Sequence, residues 1–352
     1  MDKYLIGDFS NTENSDSGSR KFFLNPDNRP YAREPVIAKM PDGKLVCTFL
    51  SGGVTEPHNK NVVLYKKSYD NGKTWTDTQV LFEHSALGLW ATEIFTEGDA
   101  PFMVVTMYNA LCPFKAMQSF ISYTYDNGET WEYPTAADPS MFTSSIRQGK
   151  RLSNGDIIFP TYFLLPEHNF YFNIEDRYNE KKWWSGIDSG VAVAISSDNG
   201  NDYTMYGKTV IKGAHLWEPC VVEAEPGHVI MFVRENNTGF LGRADSYDYG
   251  KTWSEYVVTS LPNPSSKITA LNIKGKILLV SNFHSTERKN LEIWESSDNG
   301  KTFAKLMELE DKDKFFCYPH AIHDKENNCV LVAYENYTQH YLAIIDYKEL
   351  GI

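Results

Sequence analysis

Ser68-Tyr69-Asp70-Asn71-Gly72-Lys73-Thr74-Trp75 is the stretch on which the reading of this chain turns, because its pattern returns four more times. The later copies are Thr124-Tyr125-Asp126-Asn127-Gly128-Glu129-Thr130-Trp131, Ser196-Ser197-Asp198-Asn199-Gly200-Asn201-Asp202-Tyr203, Ser246-Tyr247-Asp248-Tyr249-Gly250-Lys251-Thr252-Trp253 and Ser296-Ser297-Asp298-Asn299-Gly300-Lys301-Thr302-Phe303. Their aspartates lie 56, 72, 50 and 50 residues apart, and the third copy is degenerate after its glycine. Each copy has the chemistry of a tight hairpin turn. Asp accepts hydrogen bonds from backbone N–H groups just downstream, and Asn-Gly or Tyr-Gly supplies the positive φ such turns need. The aromatic residue then packs at the start of the next strand. As turn formers, these aspartates shape the backbone and are not expected to carry chemistry.

A second periodic element lies between the turns. Apolar, β-branched runs occupy residues 44–50, 102–108, 156–163, 228–234, 276–283 and 329–335, most of them after a Pro-Asp-Gly, Ser-Asn-Gly or Lys-Gly turn. No long amphipathic helical pattern interrupts them. Six units of this kind, four short antiparallel strands in each, predict an all-β, six-bladed β-propeller. The last unit has no turn motif of its own, so an N-terminal strand is expected to complete it and close the ring. Residues 1–352 are therefore read as one domain, since a blade cannot bury its faces alone.

Bulk properties narrow the partners. A net charge of −12 argues against nucleic acid or an anionic membrane. An acidic ligand would need a local arginine cluster to overcome that field. Aromatic residues make up 14% of the chain, which suits strands and sugar-facing surfaces. The five cysteines form no CxxC pair, and Cys47, Cys220 and Cys329 sit in apolar runs as buried thiols. No metal-ligand spacing appears, and no cofactor is expected. The N-terminus lacks a basic start followed by an apolar stretch, so a cytoplasmic location is expected unless a leader has been removed. No oligomeric state is assigned.

In a propeller the ligand site is the axial cleft, so charged residues ahead of or within the apolar runs carry the information. Arg33 opens the first blade ahead of Pro35. Arg234 ends an apolar run in the fourth, and Arg288 lies in Arg288-Lys289-Asn290-Leu291, leading into the fifth turn motif. Taken singly, each reads as a strand-end ion-pair partner.

As an ordered set they resemble the exo-sialidases and their BNR-repeat relatives across essentially the whole chain. An arginine before a proline opens blade one, Glu218-Pro219 lies in a middle blade, and Arg234 follows sixteen residues later. Arg288 then precedes Tyr318 of Cys317-Tyr318-Pro319 by thirty residues. The resemblance implies that Arg33, Arg234 and Arg288 clamp a substrate carboxylate, a task suited to a planar fork that stays charged. It implies Tyr318 as nucleophile with Glu218 as its base. A neutral phenol avoids the repulsion that a carboxylate nucleophile would meet at a carbon already bearing a carboxylate.

The chain departs from the family in two places. The family's acid/base aspartate belongs on the loop after the first inner strand, but residues 51–61 contain none. Glu56 and His58 are the proton-transfer candidates there. Glu34 is polar where the family carries an apolar residue. Glu93 and His320 are further cleft residues, read as structural. The function expected is exo-hydrolysis of a terminal carboxylated sugar, with an acidic carbohydrate as substrate. Two alternatives stand beside it. One is a polysaccharide lyase or atypical glycosidase on uronate-containing glycans using His58 and Tyr318; the other is a carbohydrate-binding propeller without catalysis.

Overall fold

The computed structural model describes residues 1–10, 32–53, 56–109, 117–137, 144–164, 189–200 and 202–352. Val54 and Thr55 of the candidate loop, and Cys112, lie outside these residues. After β1 (Asp2–Asp8), blade I comprises β2 (Arg33–Lys39), β3 (Leu45–Ser51), β4 (Val62–Ser68) and β5 (Gln79–Phe82). Blade II follows as β6 (Gly88–Phe95), β7 (Phe102–Tyr108), β8 (Gln118–Tyr123) and β9 (Thr135–Ala136). Blade III opens with two short segments, β10 (Ser144–Ile146) and β11 (Lys150–Arg151). They lie end to end along β12 (Ile157–Leu164), followed by β13 (Ser189–Ser196) and β14 (Thr204–Val210). Blade IV is β15 (Leu216–Glu225), β16 (His228–Glu235), β17 (Phe240–Ser246) and β18 (Val257–Pro262). Blade V is β19 (Thr269–Ile273), β20 (Lys276–Asn282), β21 (Leu291–Ser296) and β22 (Ala304–Glu308). Blade VI contains β23 (Cys317–Asp324), β24 (Cys329–Glu335) and β25 (Gln339–Asp346).

All pairings within the sheets are antiparallel meanders, and no helix occurs among the described residues. The fold is a six-bladed β-propeller. Its last blade is completed by β1, which pairs along the outer edge of β25 from Asp2↔Ile344 to Asp8↔Gln339. The first residues of the chain thereby cover the edge that its last strand would expose.

The core is divided among the seams between blades. Along β3, Leu45, Cys47 and Phe49 face blade VI, whereas Val46 faces blade II. Along β24, Cys329, Leu331 and Ala333 face blade I, and Val330, Val332 and Tyr334 face blade V. Both faces of the second strand in a blade are thus buried. This is why those segments read as continuous apolar runs rather than as an apolar/polar alternation. Cys47, Cys220, Cys317 and Cys329 are free, buried thiols within these seams.

The repeated turn joins the third and fourth strands of blades I to V. In its first copy, Asp70 accepts from the Thr74 N–H at 2.9 Å and from the Thr74 hydroxyl at 2.6 Å. Ser68 Oγ accepts the Gly72 N–H at 2.8 Å. The second, fourth and fifth copies repeat these bonds within 0.2 Å. In the degenerate copy Asp202 offers Asp198 only its N–H, at 3.0 Å. The turns also tie each blade to the one before it. Tyr65 of blade I donates to the Gly128 carbonyl at 2.7 Å, and Trp131 meets Tyr65 edge-on at 6.3 Å between centroids.

Gly128 has φ +80°, and a Cβ there would lie 2.7 Å from the Tyr65 hydroxyl. Gly128→Ala is therefore expected to lower unfolding free energy by ~1–3 kcal/mol through backbone strain and overpacking. Urea unfolding should show this as a lower midpoint at unchanged slope.

Candidate functional site

Because strand direction alternates within each blade, two sets of residues share one end of the ring. They are the starts of the first strands and the ends of the second strands. The turn motifs between third and fourth strands fall at the opposite end. The six first strands approach the axis, and three of them begin with the same irregularity. On β2 the register passes from Arg33↔Leu50 to Val36↔Thr48, so Glu34 and Pro35 oppose one residue. The same two-against-one bulge holds Glu218-Pro219 on β15 and Tyr318-Pro319 on β23. Proline has no N–H to leave unpaired at such a point. The residue before it takes a positive φ, 53° at Glu34, 40° at Glu218 and 54° at Tyr318. Three side chains are thereby turned off the ladder at equivalent places, against a backbone cost of ~1–3 kcal/mol each.

The arginines converge on Tyr318. Arg234 Nη1 donates to the Tyr318 hydroxyl at 2.9 Å and to Glu218 Oε2 at 2.6 Å. Its Nε donates to Asn236 Oδ1 at 3.2 Å and Ser265 Oγ at 3.0 Å. The guanidinium carbons of Arg33 and Arg288 each lie 4.9 Å from the centroid of the Tyr318 ring. Arg288 is held by donating to the Tyr337 hydroxyl and the Ser265 carbonyl, both at 3.0 Å. Arg33 donates through Nη1 to Glu56 Oε2 at 2.8 Å, and its Nε lies 3.5 Å from Glu335 Oε1. Its guanidinium also lies over the Tyr337 ring at 4.4 Å. Arg33 Nη2 is a buried donor with no hydrogen-bond partner among the described residues.

Burial pushes the Tyr318 phenol well up, despite Arg234 and Arg288 beside it, so it is neutral near pH 7. Glu218 behaves oppositely. Burial would raise it, but Arg234 and Arg147 overcome that and hold it at about 2. Glu56 is raised to about 7 by burial; Arg33 opposes the shift, and the Glu34 and Glu218 carboxylates add to it.

The sequence candidates therefore separate. Arg33, Arg234, Arg288, Glu218, Tyr318 and Glu56 lie around one space. His58 is tied into its own loop, accepting the Lys60 N–H at 3.0 Å through Nδ1 and donating its own N–H to Asn61 at 2.7 Å. Glu93 and His320 are buried deeper on the axis, 3.7 Å apart. Burial and the cations Lys267, Lys150 and Arg147 keep His320 neutral, and burial raises Glu93 to about 8. Among the described residues no group of His, Cys, Asp or Glu is arranged to hold a metal ion.

Four contributors escaped sequence reasoning. Arg147 lies in the break between β10 and β11, 3.4 Å from Glu34 and 3.6 Å from Glu218. Lys267 precedes β19, is buried and is lowered to about 8 by burial and by Arg147. Glu335 and Tyr337 come from the end of β24 and the turn after it. Arg147 and Lys267 lie at the entries to blades III and V. Asking each blade for one charged residue just ahead of its first strand would have found Lys267.

Removing Arg147 takes from buried Glu34 its ion-pair partner and from buried Glu218 one of two. Arg147→Met is expected to destabilise the fold by ~3–5 kcal/mol at pH 7. Urea titrations of the two proteins at pH 7 would measure the loss.

The family described as the BNR repeat-like domain matches residues 102–329. A sialidase of Bacteroides fragilis is 26% identical over 215 residues, covering 54% of this chain and 34% of the relative. A sialidase of Paraclostridium sordellii is 24% identical over 275 residues, covering 70% of this chain and 63% of the relative. The chain thus spans about a third of the first relative and under two thirds of the second. Among solved structures, the Hadza microbial sialidase Hz136 superposes with a TM-score of 0.69 at 18% identity. That match covers 90% of this chain and 66% of the other, and at such identity it speaks to the fold alone.

Proposed function

Since the chain belongs to the BNR-repeat, sialidase-like family, we propose that it is an exo-acting glycoside hydrolase that releases a terminal sugar bearing a carboxylate at its anomeric carbon. The observation that carries this reading is the convergence of Arg33, Arg234 and Arg288 on the Tyr318 side chain, with Glu218 sharing an Arg234 donor with the phenol. A cluster of guanidiniums is what an anionic sugar needs to bind a protein of net charge −12.

In this reading the three arginines hold the sugar carboxylate and so place the anomeric carbon above the phenol oxygen. Tyr318 Oη bonds to that carbon while its proton passes to Glu218. The bond to the aglycone breaks, its electron pair stays on the glycosidic oxygen, and that oxygen takes a proton from Glu56. In the second half, water gives a proton to Glu56 and its oxygen bonds to the anomeric carbon. The bond to Tyr318 breaks, and the phenol recovers its proton from Glu218. Arg234 Nη1, already donating to the phenol oxygen, stabilises negative charge as it grows there. The Arg147–Arg234 pair keeps Glu218 ionised and ready to accept.

Glu56 takes the acid/base role over His58 because its carboxyl meets Arg33 and is raised to about 7, near the operating pH a general acid needs. A carboxyl acting as acid is competent below its folded pKa and loses its proton above it. The kcat/KM profile should therefore fall as pH rises through about 7. Glu56→Gln should slow hydrolysis of natural sialosides by ~10²–10⁴-fold. On aryl sialosides kcat/KM, which reports the first half-reaction, should fall much less, because a phenolic leaving group departs without protonation. Equal losses of kcat/KM on both substrates would remove Glu56 from the acid role.

Tyr318→Phe should cut turnover at least ~10³-fold, as loss of a nucleophile does, while binding of a carboxylated sugar persists in calorimetry. Product analysis on sialosides and uronate-containing oligosaccharides separates the remaining readings. Free sugar supports hydrolysis, an unsaturated product absorbing in the ultraviolet supports a lyase, and binding without product supports a carbohydrate-binding propeller.

A further inference from the structure

Ser265 and Tyr337 stand among the arginines and have no part in the reaction just described. Ser265 lies on the loop between β18 and β19, and Tyr337 on the turn after β24. Both take a positive φ, 57° and 75°, although neither is glycine, asparagine or aspartate. For a side chain as bulky as tyrosine that conformation is an outlier, and such outliers gather where function requires them. Buried Asn263 fixes the first of these loops. Its Oδ1 accepts the Ser266 N–H at 2.9 Å, and its Nδ2 donates to the Ser266 carbonyl at 3.0 Å.

Between them the two residues touch all three arginines. The Ser265 hydroxyl donates its one proton to Asn236 Oδ1 at 2.5 Å, which leaves its lone pairs to accept from Arg234 Nε at 3.0 Å. The carbonyl of the same residue accepts from Arg288 Nη2 at 3.0 Å. Arg288 Nη1 donates to the Tyr337 hydroxyl at 3.0 Å, and the Tyr337 ring lies under the Arg33 guanidinium at 4.4 Å. Phe315 meets the Tyr337 ring edge-on, 4.7 Å between centroids. The contacts thus run unbroken from Arg234 through Ser265, Arg288 and Tyr337 to Arg33. Arg234 pairs with Glu218, and Arg33 with Glu56 and Glu335, whereas Arg288 has no carboxylate within ion-pair distance among the described residues. Its braces are a carbonyl and a phenol. They fix the plane of the guanidinium fork and leave its charge without a counter-ion.

We propose that Ser265 and Tyr337 are positioning residues that hold the three arginines at fixed spacing, and that they reserve the charge of Arg288 for the substrate carboxylate. This rests on the reading of the three arginines as a carboxylate clamp given above. Like charges repel and long side chains have many rotamers, so guanidiniums gathered round one ring need braces to keep a common aim. A carboxylate brace on Arg288 would compete with the ligand, and the two residues supply acceptors that do not. Their effects differ in kind. Arg234 donates to the Tyr318 oxygen, where negative charge grows, so loosening it through Ser265 reaches turnover as well as binding. Tyr337 braces Arg288 and Arg33, which meet the face of the Tyr318 ring, so its loss acts on binding.

The test compares Ser265→Gly and Tyr337→Phe with the wild type. Glycine accepts the positive φ at position 265 and removes the hydroxyl. Phenylalanine keeps the ring beside Arg33 and Phe315 and loses only the acceptor for Arg288. In protein labelled with 15N-arginine, the side-chain Nε–H signal of Arg234 should shift or broaden in Ser265→Gly, and that of Arg288 in Tyr337→Phe. Arg234→Lys and Arg288→Lys assign the two signals. Against sialosides, Tyr337→Phe should raise KM ~10-fold with kcat within ~3-fold, since the lost bond to a charged group serves ground and transition states alike. Ser265→Gly should raise KM to a similar extent and also lower kcat ~10-fold. A signal that stays in place in either variant, or a common fall in kcat with KM unmoved, overturns the proposal. Should Ser265→Gly fail to unfold cooperatively, Ser265→Ala is held to the same criteria. The arginine signals need no turnover. Displaced signals in a protein whose wild type hydrolyses no carboxylated sugar would therefore sink the hydrolase reading and leave the bracing standing.

Discussion

Every blade of this protein buries both faces of its sheet, so none has a face that can be left to water and the ring has to close. Closure rests on one strand pairing, Asp2–Asp8 along Gln339–Asp346. It joins residues at opposite ends of the chain, and the seam it completes contains Ile6, Phe49, Leu331 and Leu342 together. The turn motifs serve the same end on a local scale. Their Asp and Ser side chains satisfy turn N–H groups, and their glycines let the loop lie flat against the blade before. Gly300, for instance, leaves room for Ile230 of blade IV.

A closed ring brings the openings of six strands to one axis, and this protein fills that space with charge. Arg33 pairs with Glu56, and Glu34, Arg147, Glu218 and Arg234 form an alternating chain of ion pairs. Buried charges are costly without partners, and mutual pairing offsets much of that cost. What remains is chemically useful, because neighbours of opposite sign draw carboxyl groups of one residue type far apart. Glu218 is held at about 2 between two guanidiniums, whereas Glu56 is raised to about 7 by burial and by other carboxylates. In a chain of net charge −12, arginines from blades I, III, IV and V meet at this one end of the ring.

Most of the architecture was legible along the chain. The turn motif needs particular residues at particular places, so its five copies marked five blades, and the six apolar runs counted all six and marked each second strand to within a residue or two. Arg33, Glu218, Arg234 and Tyr318 stood out by lying close to a proline or at the end of a run, and Arg288 by its Arg-x-Asn-Leu context in the family resemblance. Arg147 did not, since it sits in a gap between two very short strands with no apolar periodicity around it. Glu335 lay in plain view as the last residue of a run, and only the approach of Arg33 from another blade gave it meaning.

The sequence by itself determined the number of blades, their strand order and the side chains available at their mouths, because turn chemistry and hydrophobic period act between near neighbours. Tertiary structure alone decided which of those side chains meet, and in what charge state. Arg33, Arg147, Glu218 and Tyr318 are separated by dozens to hundreds of residues. Their protonation follows from burial and from the sign of neighbours that only the closed ring supplies. The loop containing Glu56 and His58 is the sharpest case. Either residue suits proton transfer by its type, and what distinguishes them is that one reaches Arg33 while the other folds back onto its own loop.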